Sequence, residues 1–203
     1  MSHKLRTILL TCMVLCLGSI TAAKADTVTF TSLVFGQMTY TEVGMTVASS
    51  GGLFASNTGV GGSRNLALLL QNSVAFTYSG AAFNALNIEV NVFPDNGPGL
   101  PPNTATFMAF NGANLTGMFT LVRNPGDPQP PLILSFGAGF QGITRLVLSS
   151  PVIAGQIHVD NFTFQAAQAV PEPTTMILLA SGLVGLATKV GRRRKHISRE
   201  DAG

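Results

Sequence analysis

Between residues 26 and 170 the chain offers few groups that could do chemistry. They are one histidine, His158, two glutamates, Glu42 and Glu89, and four aspartates, Asp26, Asp95, Asp127 and Asp160. A serine nucleophile needs an oriented base beside it, and His158 is the one imidazole in this stretch. It falls in the alternating run Ile157-His158-Val159, where a half-exposed strand position is the expected role. A glycoside hydrolase needs two facing carboxylates, yet Glu89 sits on the polar side of Leu86-Asn87-Ile88-Glu89-Val90-Asn91-Val92. No cysteine lies in the stretch, and no cluster of His, Cys or carboxylates has zinc spacing. These residues predict a protein that is not an enzyme.

The spacing that does carry chemistry lies at the C-terminus: Pro171-Glu172-Pro173, an apolar run, then Arg192, Arg193, Arg194 and Lys195. Residues 174–188 hold no charge. At about 1.5 Å per residue such a helix spans roughly 22 Å, short of a hydrocarbon core of roughly 30 Å. Lys189 snorkels its ammonium to the interface, so residues 174–191 reach about 27 Å. The basic run then stays cytoplasmic, leaving everything before Pro171 outside. Ser181 and Gly185 form a small-xxx-small pair at which another helix can approach closely. The two prolines fix φ and present Glu172 in extended chain at the outer membrane boundary.

This tail resembles the PEP-CTERM sorting signal of Gram-negative bacteria, also labelled the ice-binding protein C-terminal domain. The resemblance implies recognition by an exosortase, a membrane-embedded cysteine protease that cuts near the Pro-Glu-Pro. A plain anchor that nothing cuts is the alternative. Two features depart from the family pattern: Lys189 within the helix, and residues 196–203 beyond the basic stop.

The N-terminus reads as a matching export signal. His3, Lys4 and Arg6 form a basic n-region, residues 8–18 an apolar h-region, and Ala23-Lys24-Ala25 an A-x-A site for signal peptidase. Cleavage leaves Asp26 as the first mature residue. A lipoprotein reading through Cys16 fails because Leu15 is not the small residue a lipobox needs. Both cysteines, Cys12 and Cys16, leave with the signal, so the mature chain has no disulfide. The sequence pI of 9.2 also belongs to the ends. Residues 26–170 carry Arg64, Arg123 and Arg145 against the six carboxylates above, a net charge of −3. A basic stripe for nucleic acid is missing.

Residues 26–164 read as one all-β domain, an antiparallel β-sandwich of jelly-roll type. Period-two alternation marks 86–92, 27–30 and 157–159, and runs rich in β-branched and aromatic residues lie at 44–48, 74–78, 105–110, 117–121, 132–136 and 143–148. Residues 66–70 are expected to be a buried strand. That makes nine or ten strands, with loops at 49–63, 94–103 and 123–131. Residues 1–25 are the signal peptide, 165–170 a linker, 171–195 the sorting signal with its transmembrane helix, and 196–203 a cytoplasmic tail.

Two local motifs extend the resemblance into the domain. Tyr40-Thr41-Glu42-Val43-Gly44-Met45 is similar to a Y-x-E-x-G element near the start of such ectodomains. The run from His158 through Asp160-Asn161 to Phe164 is similar to the closing strand of extracellular jelly rolls. Some similar sandwiches place a structural calcium beside that aspartate, which implies oxygen ligands from Asp160 with Glu42 or Asp26. The plainer expectation is a strand-end or bulge feature bonding to backbone, with no cofactor. For sugars, flat amphipathic rings are the usual platform, and the chain has no Trp and two Tyr. Thr27, Thr29 and Thr31 share one face, as ordinary strand chemistry. The expected function is an exported, non-catalytic surface or matrix protein of exopolysaccharide or biofilm. A cell-surface carbohydrate-binding module is the alternative.

Overall fold

A computed structural model describes residues 24–49, 51–57, 64–69, 73–79, 82–93, 102–128, 130–150, 156–167 and 182–183. The chain divides into two units, Met1–Ala167 and Gln168–Gly203. The first holds twelve strands among its described residues. They are β1 (Ala25–Val28), β2 (Thr39–Glu42), β3 (Met45–Ala48), β4 (Phe54–Ser56), β5 (Asn65–Leu69), β6 (Ser73–Tyr78), β7 (Phe83–Phe93), β8 (Asn103–Asn111), β9 (Asn114–Arg123), β10 (Leu132–Ser135), β11 (Arg145–Ser149) and β12 (Gln156–Ala166). A single 3-10 turn, Ala138–Phe140, links β10 to β11.

The strands form two antiparallel six-stranded sheets. Sheet A runs β10-β7-β12-β5-β4 with β1 also on β12, and sheet B runs β2-β3-β6-β11-β8-β9. Four nested pairs organise them: β5 with β12, β6 with β11, β7 with β10, and β8 with β9. This is one long antiparallel hairpin folded over on itself. Counting β5 to β12 as one to eight, the sheets read 1-8-3-6 and 2-7-4-5, the jelly-roll order. The all-β sandwich expected from alternation is the fold. The first four strands extend its edges.

Alternation builds the core. Ile88, Val90 and Val92 of β7, Phe107 of β8, Phe76 of β6, Leu146 and Leu148 of β11, and Ile157 and Val159 of β12 all point inward and are buried. Phe76, Phe83, Phe162 and Phe164 pack with ring centroids 5.0–6.4 Å apart. Burial of this kind supplies about 25 cal/mol per Å² of apolar surface, the main force available to a domain whose described residues include no cysteine.

Three expectations need correction. Twelve strands replace nine or ten, because β2 and β4 are too short to show a period. β4 lies inside the stretch read as a loop at 49–63, where pairing of Phe54 with Ala67 and of Ser56 with Asn65 creates it. β12 also runs two residues into the expected linker, since Gln165 and Ala166 pair with Asn84 and Phe83. The transmembrane helix read at 174–191 lies outside the described residues apart from 182–183, and the signal peptide lies outside except for Lys24 and Ala25. Among the described residues no helix is long and apolar enough to cross a membrane.

Candidate functional site

The Y-x-E-x-G element folds into a latch. Val43 and Gly44 adopt φ of 45° and 78°, the pair of positive values a two-residue type I′ hairpin needs between β2 and β3. That turn places the Glu42 carboxylate beside the segment leaving β1. The carboxylate accepts from Thr29 N (2.9 Å), Thr29 Oγ1 (2.8 Å), Phe30 N (3.1 Å) and Tyr40 Oη (2.9 Å). Phe30 sits at φ 56°, so two successive N–H groups converge on one anion in a backbone nest. Burial pushes the Tyr40 hydroxyl above the usual tyrosine range and Glu42 adds to the rise, while Ser32, 3.1 Å away, opposes it. Glu42 therefore ties the start of the domain, in sheet A, to an edge of sheet B. The same bend at Phe30 ends β1 at Val28, so the three threonines do not form one strand ladder. Thr27 instead faces Thr163, their hydroxyls 3.2 Å apart, and Thr29 turns to Glu42.

The other flagged carboxylate, Asp160, is buried at the middle of β12, directly opposite Glu89 of β7. Its Oδ1 accepts from Asn161 N at 2.8 Å, and Asn161 adopts φ 48°. The ladder between β12 and β7 shifts register between Asp160 and Thr163. Asn161 Nδ2 spans the gap, donating to Glu89 at 2.9 Å. This bulge has a plain purpose. Ile157 and Val159 face the core on odd positions, Phe162 and Phe164 on even ones, and the irregularity moves the strand from one parity to the other. His158 lies on the opposite side of β12 from Val159. It is buried rather than half-exposed, edge-on to Phe93 at 4.9 Å, with Nε2 3.0 Å from Gln156 Oε1. Asp160 and Glu42 lie in different sheets, Asp26 pairs opposite Phe164, and no group of three or more metal-ligating side chains forms among the described residues.

The outer face of sheet B holds an open concavity. Pairing aligns Thr39, Ala48, Ala75, Val147, Met108 and Met118 in one row, and Thr41, Thr46, Thr77, Arg145 and Phe110 in the next. Small side chains on β2, β3, β6 and β11 leave a hollow of about 480 Å³, lined by Met38, Thr39, Ala48, Ser49, Ser73, Ala75, Arg145 and Val147. Arg145 is its one charge. The guanidinium carbon sits 4.6 Å from the Phe110 ring centroid, which holds the planar donor fork over the face. Sequence reasoning missed this site. Alternation in 143–148 does set Arg145 and Val147 outward, but only the sheet order brings Thr39 and Ser73 to them.

The sorting residues Pro171, Glu172, Pro173 and Arg192 to Lys195, and Ala23 of the signal site, lie outside the described residues. Ala25 and Asp26 open β1. The sequence of the tail decides its nature: residues 169–195 match the family model of the PEP-CTERM protein-sorting motif. The chain is a PEP-CTERM domain-containing protein. Its tail marks this PEP-CTERM protein as exported and sorted by an exosortase. No curated protein matches the chain. Among solved structures, the jelly roll is similar to a carbohydrate binding module of family 29, with 13% identity over 72% of this chain and 91% of that one, at a TM-score of 0.42. A family 29 module from Piromyces equi gives 10% identity over 72% and 93%, at 0.42. The CBM22-2 xylan-binding domain from Paenibacillus barcinonensis gives 14% identity over 70% and 99%, at 0.38.

Proposed function

We propose that this chain is a non-catalytic surface or extracellular-matrix protein, made as an inner-membrane precursor and released into the exopolysaccharide or biofilm of a Gram-negative cell. The observation that carries the reading is the sorting motif at 169–195 behind a single jelly-roll domain. Signal peptidase frees Asp26. Residues 174–191 hold the precursor in the membrane with Arg192 to Lys195 inside, and the exosortase cuts at the extended Pro171-Glu172-Pro173 segment. The polar groups best placed for catalysis support a structural role, since Asp160, Asn161 and Glu89 bond to one another and His158 packs against Phe93.

Intact mass of the mature protein tests this. A start at Asp26 with loss of the apolar helix and its basic stop is the expected result, and Glu172→Ala should trap the membrane-bound form. Mature protein that retains residues 192–203, in cells that possess an exosortase, would leave the tail as an anchor only.

One observation favours a second reading, a carbohydrate-binding module. The hollow on sheet B joins a small apolar floor to the hydroxyls of Thr39, Ser49 and Ser73 and to the fixed fork of Arg145. A polysaccharide pull-down or glycan array with the released protein separates the two. Retention lost in Arg145→Ala supports binding there, and retention of no polymer retires it.

A further inference from the structure

We propose that β9 is a self-association edge, along which two copies of this chain join their B sheets antiparallel. The edge strands differ sharply. β1, β2, β4 and β10 have 4, 4, 3 and 4 residues, and such short edges give a foreign strand little to pair with. β9 has 10 residues and ends sheet B. From Gly117 to Val122, past its bulge at Thr116, it carries no charge and no proline, two of the devices that ordinarily blunt an edge. Met118 and Val122 are 64% and 48% exposed on the outer face, and Phe119 on the inner face is 39% exposed.

The ladder with β8 shifts register between Ala109 and Phe110, a bulge at Thr116, and beyond it Gly117 to Arg123 pair in unbroken register. Thr116 Oγ1 donates to Gly139 O at 2.9 Å, and the backbones of Gly117 and Gly139 meet so closely that a Cβ on Gly117 would lie 2.7 Å from Gly139 O. The 3-10 turn thus supports β9 from the core side. Among the described residues, no backbone hydrogen bond outside its ladder with β8 involves β9.

The occupant is a second copy because the strand matches itself. A two-fold axis at Thr120 sets Met118 opposite Val122 of the other copy on the outer face, and Phe119 opposite Leu121 on the inner one. Arg123 then faces Gly117, and the two Arg123 residues lie about 20 Å apart, beyond the screening length of about 8–10 Å. Each Arg123 guanidinium is turned to its own loop, donating to Pro128 O at 2.8 Å. Nothing in this register repels, and no fixed charge selects a different strand.

The test uses the full chain in detergent with Cys12 and Cys16 replaced by Ser. Thr120→Cys should form an intermolecular disulfide under mild oxidation much faster than Thr77→Cys, which sits at the centre of the same sheet. Thr120→Lys, an exposed change that sets two ammonium groups face to face, should raise the concentration for half-dimerisation at least about tenfold with melting unchanged. Equal cross-linking of the two cysteines, a monomer at every concentration, or a dimer indifferent to Thr120→Lys would each overturn the proposal.

Discussion

Glu42 and Asp160 are both acidic side chains set among apolar strands, and they do opposite kinds of work. Glu42 reaches across the sandwich, its carboxylate filled by two amides and two hydroxyls from a segment outside its own strand pair and from Tyr40. Asp160 acts within a strand, bonding the next residue's N–H so that β12 can change parity. One is a cross-link and the other is a register device. In a domain whose described residues include no cysteine, a carboxylate serves for the former, while the latter lets one strand feed two differently phased parts of the core.

Replacing Glu42 separates these roles most strongly. Glu42→Ala leaves two amides and two hydroxyls without their charged acceptor and should cost about 2–4 kcal/mol. Glu42→Gln should cost less but not nothing, since its amide nitrogen would aim a donor at donors. Protection of the Thr29 and Phe30 amides from hydrogen exchange should fall in both variants, while the β7–β12 amides stay protected. Uniform loss of protection would mean that the latch and the core are one cooperative unit.

Asn161 tests the register device. Asn161→Val forces a β-branched residue into left-handed backbone and removes the bond to Glu89, a loss of roughly 2–3 kcal/mol. Asn161→Gly removes the same bond but suits the backbone, and should cost about 1 kcal/mol. Denaturant midpoints of the two variants decide the matter. Equal midpoints would show that the positive φ is not what the bulge needs.

Much of this was legible along the chain, and the reason is period two. The alternation of 86–92 and 105–110 gives β7 and β8 directly. The change of apolar parity from Ile157 and Val159 to Phe162 and Phe164 is the mark of a bulge, written in residue spacing alone. The Y-x-E-x-G spacing was visible as a motif, but its meaning needed Thr29 and Phe30, which only folding brings to Glu42. The hollow around Arg145 was not legible. It depends on β3, β6 and β11 lying side by side, and jelly-roll neighbours are set by long-range pairing that no local period encodes. β4 escaped for the same reason, since three residues make a strand only because β5 is there to receive them.

Tyr40 gives a smaller effect with a defined pH dependence. Because burial, reinforced by Glu42, raises its pKa, the fold favours the neutral hydroxyl. The stability this adds is complete below the unfolded value of about 10 and is lost as the pH climbs through the higher folded value. Tyr40→Phe should cost about 1 kcal/mol near neutrality. Its melting temperature should also fall less steeply than wild type above about pH 10. Parallel curves for the two proteins would assign the alkaline loss to another group.

Calcium gives the smallest expected effect. The four donors on Glu42 occupy the lone pairs a cation would need, and Asp160, in the other sheet, has Oδ1 committed to Asn161 N. A hard divalent ion wants six to eight oxygens around it, and recruiting Glu42 would dismantle the latch to supply one or two. Melting temperature should therefore not move when a chelator or excess calcium is added. A chelator-induced fall that Asp160→Ala abolishes would reverse the comparison, making Asp160 a ligand first and a register device second. A fall abolished by Glu42→Ala instead would mean that the latch rearranges around the ion.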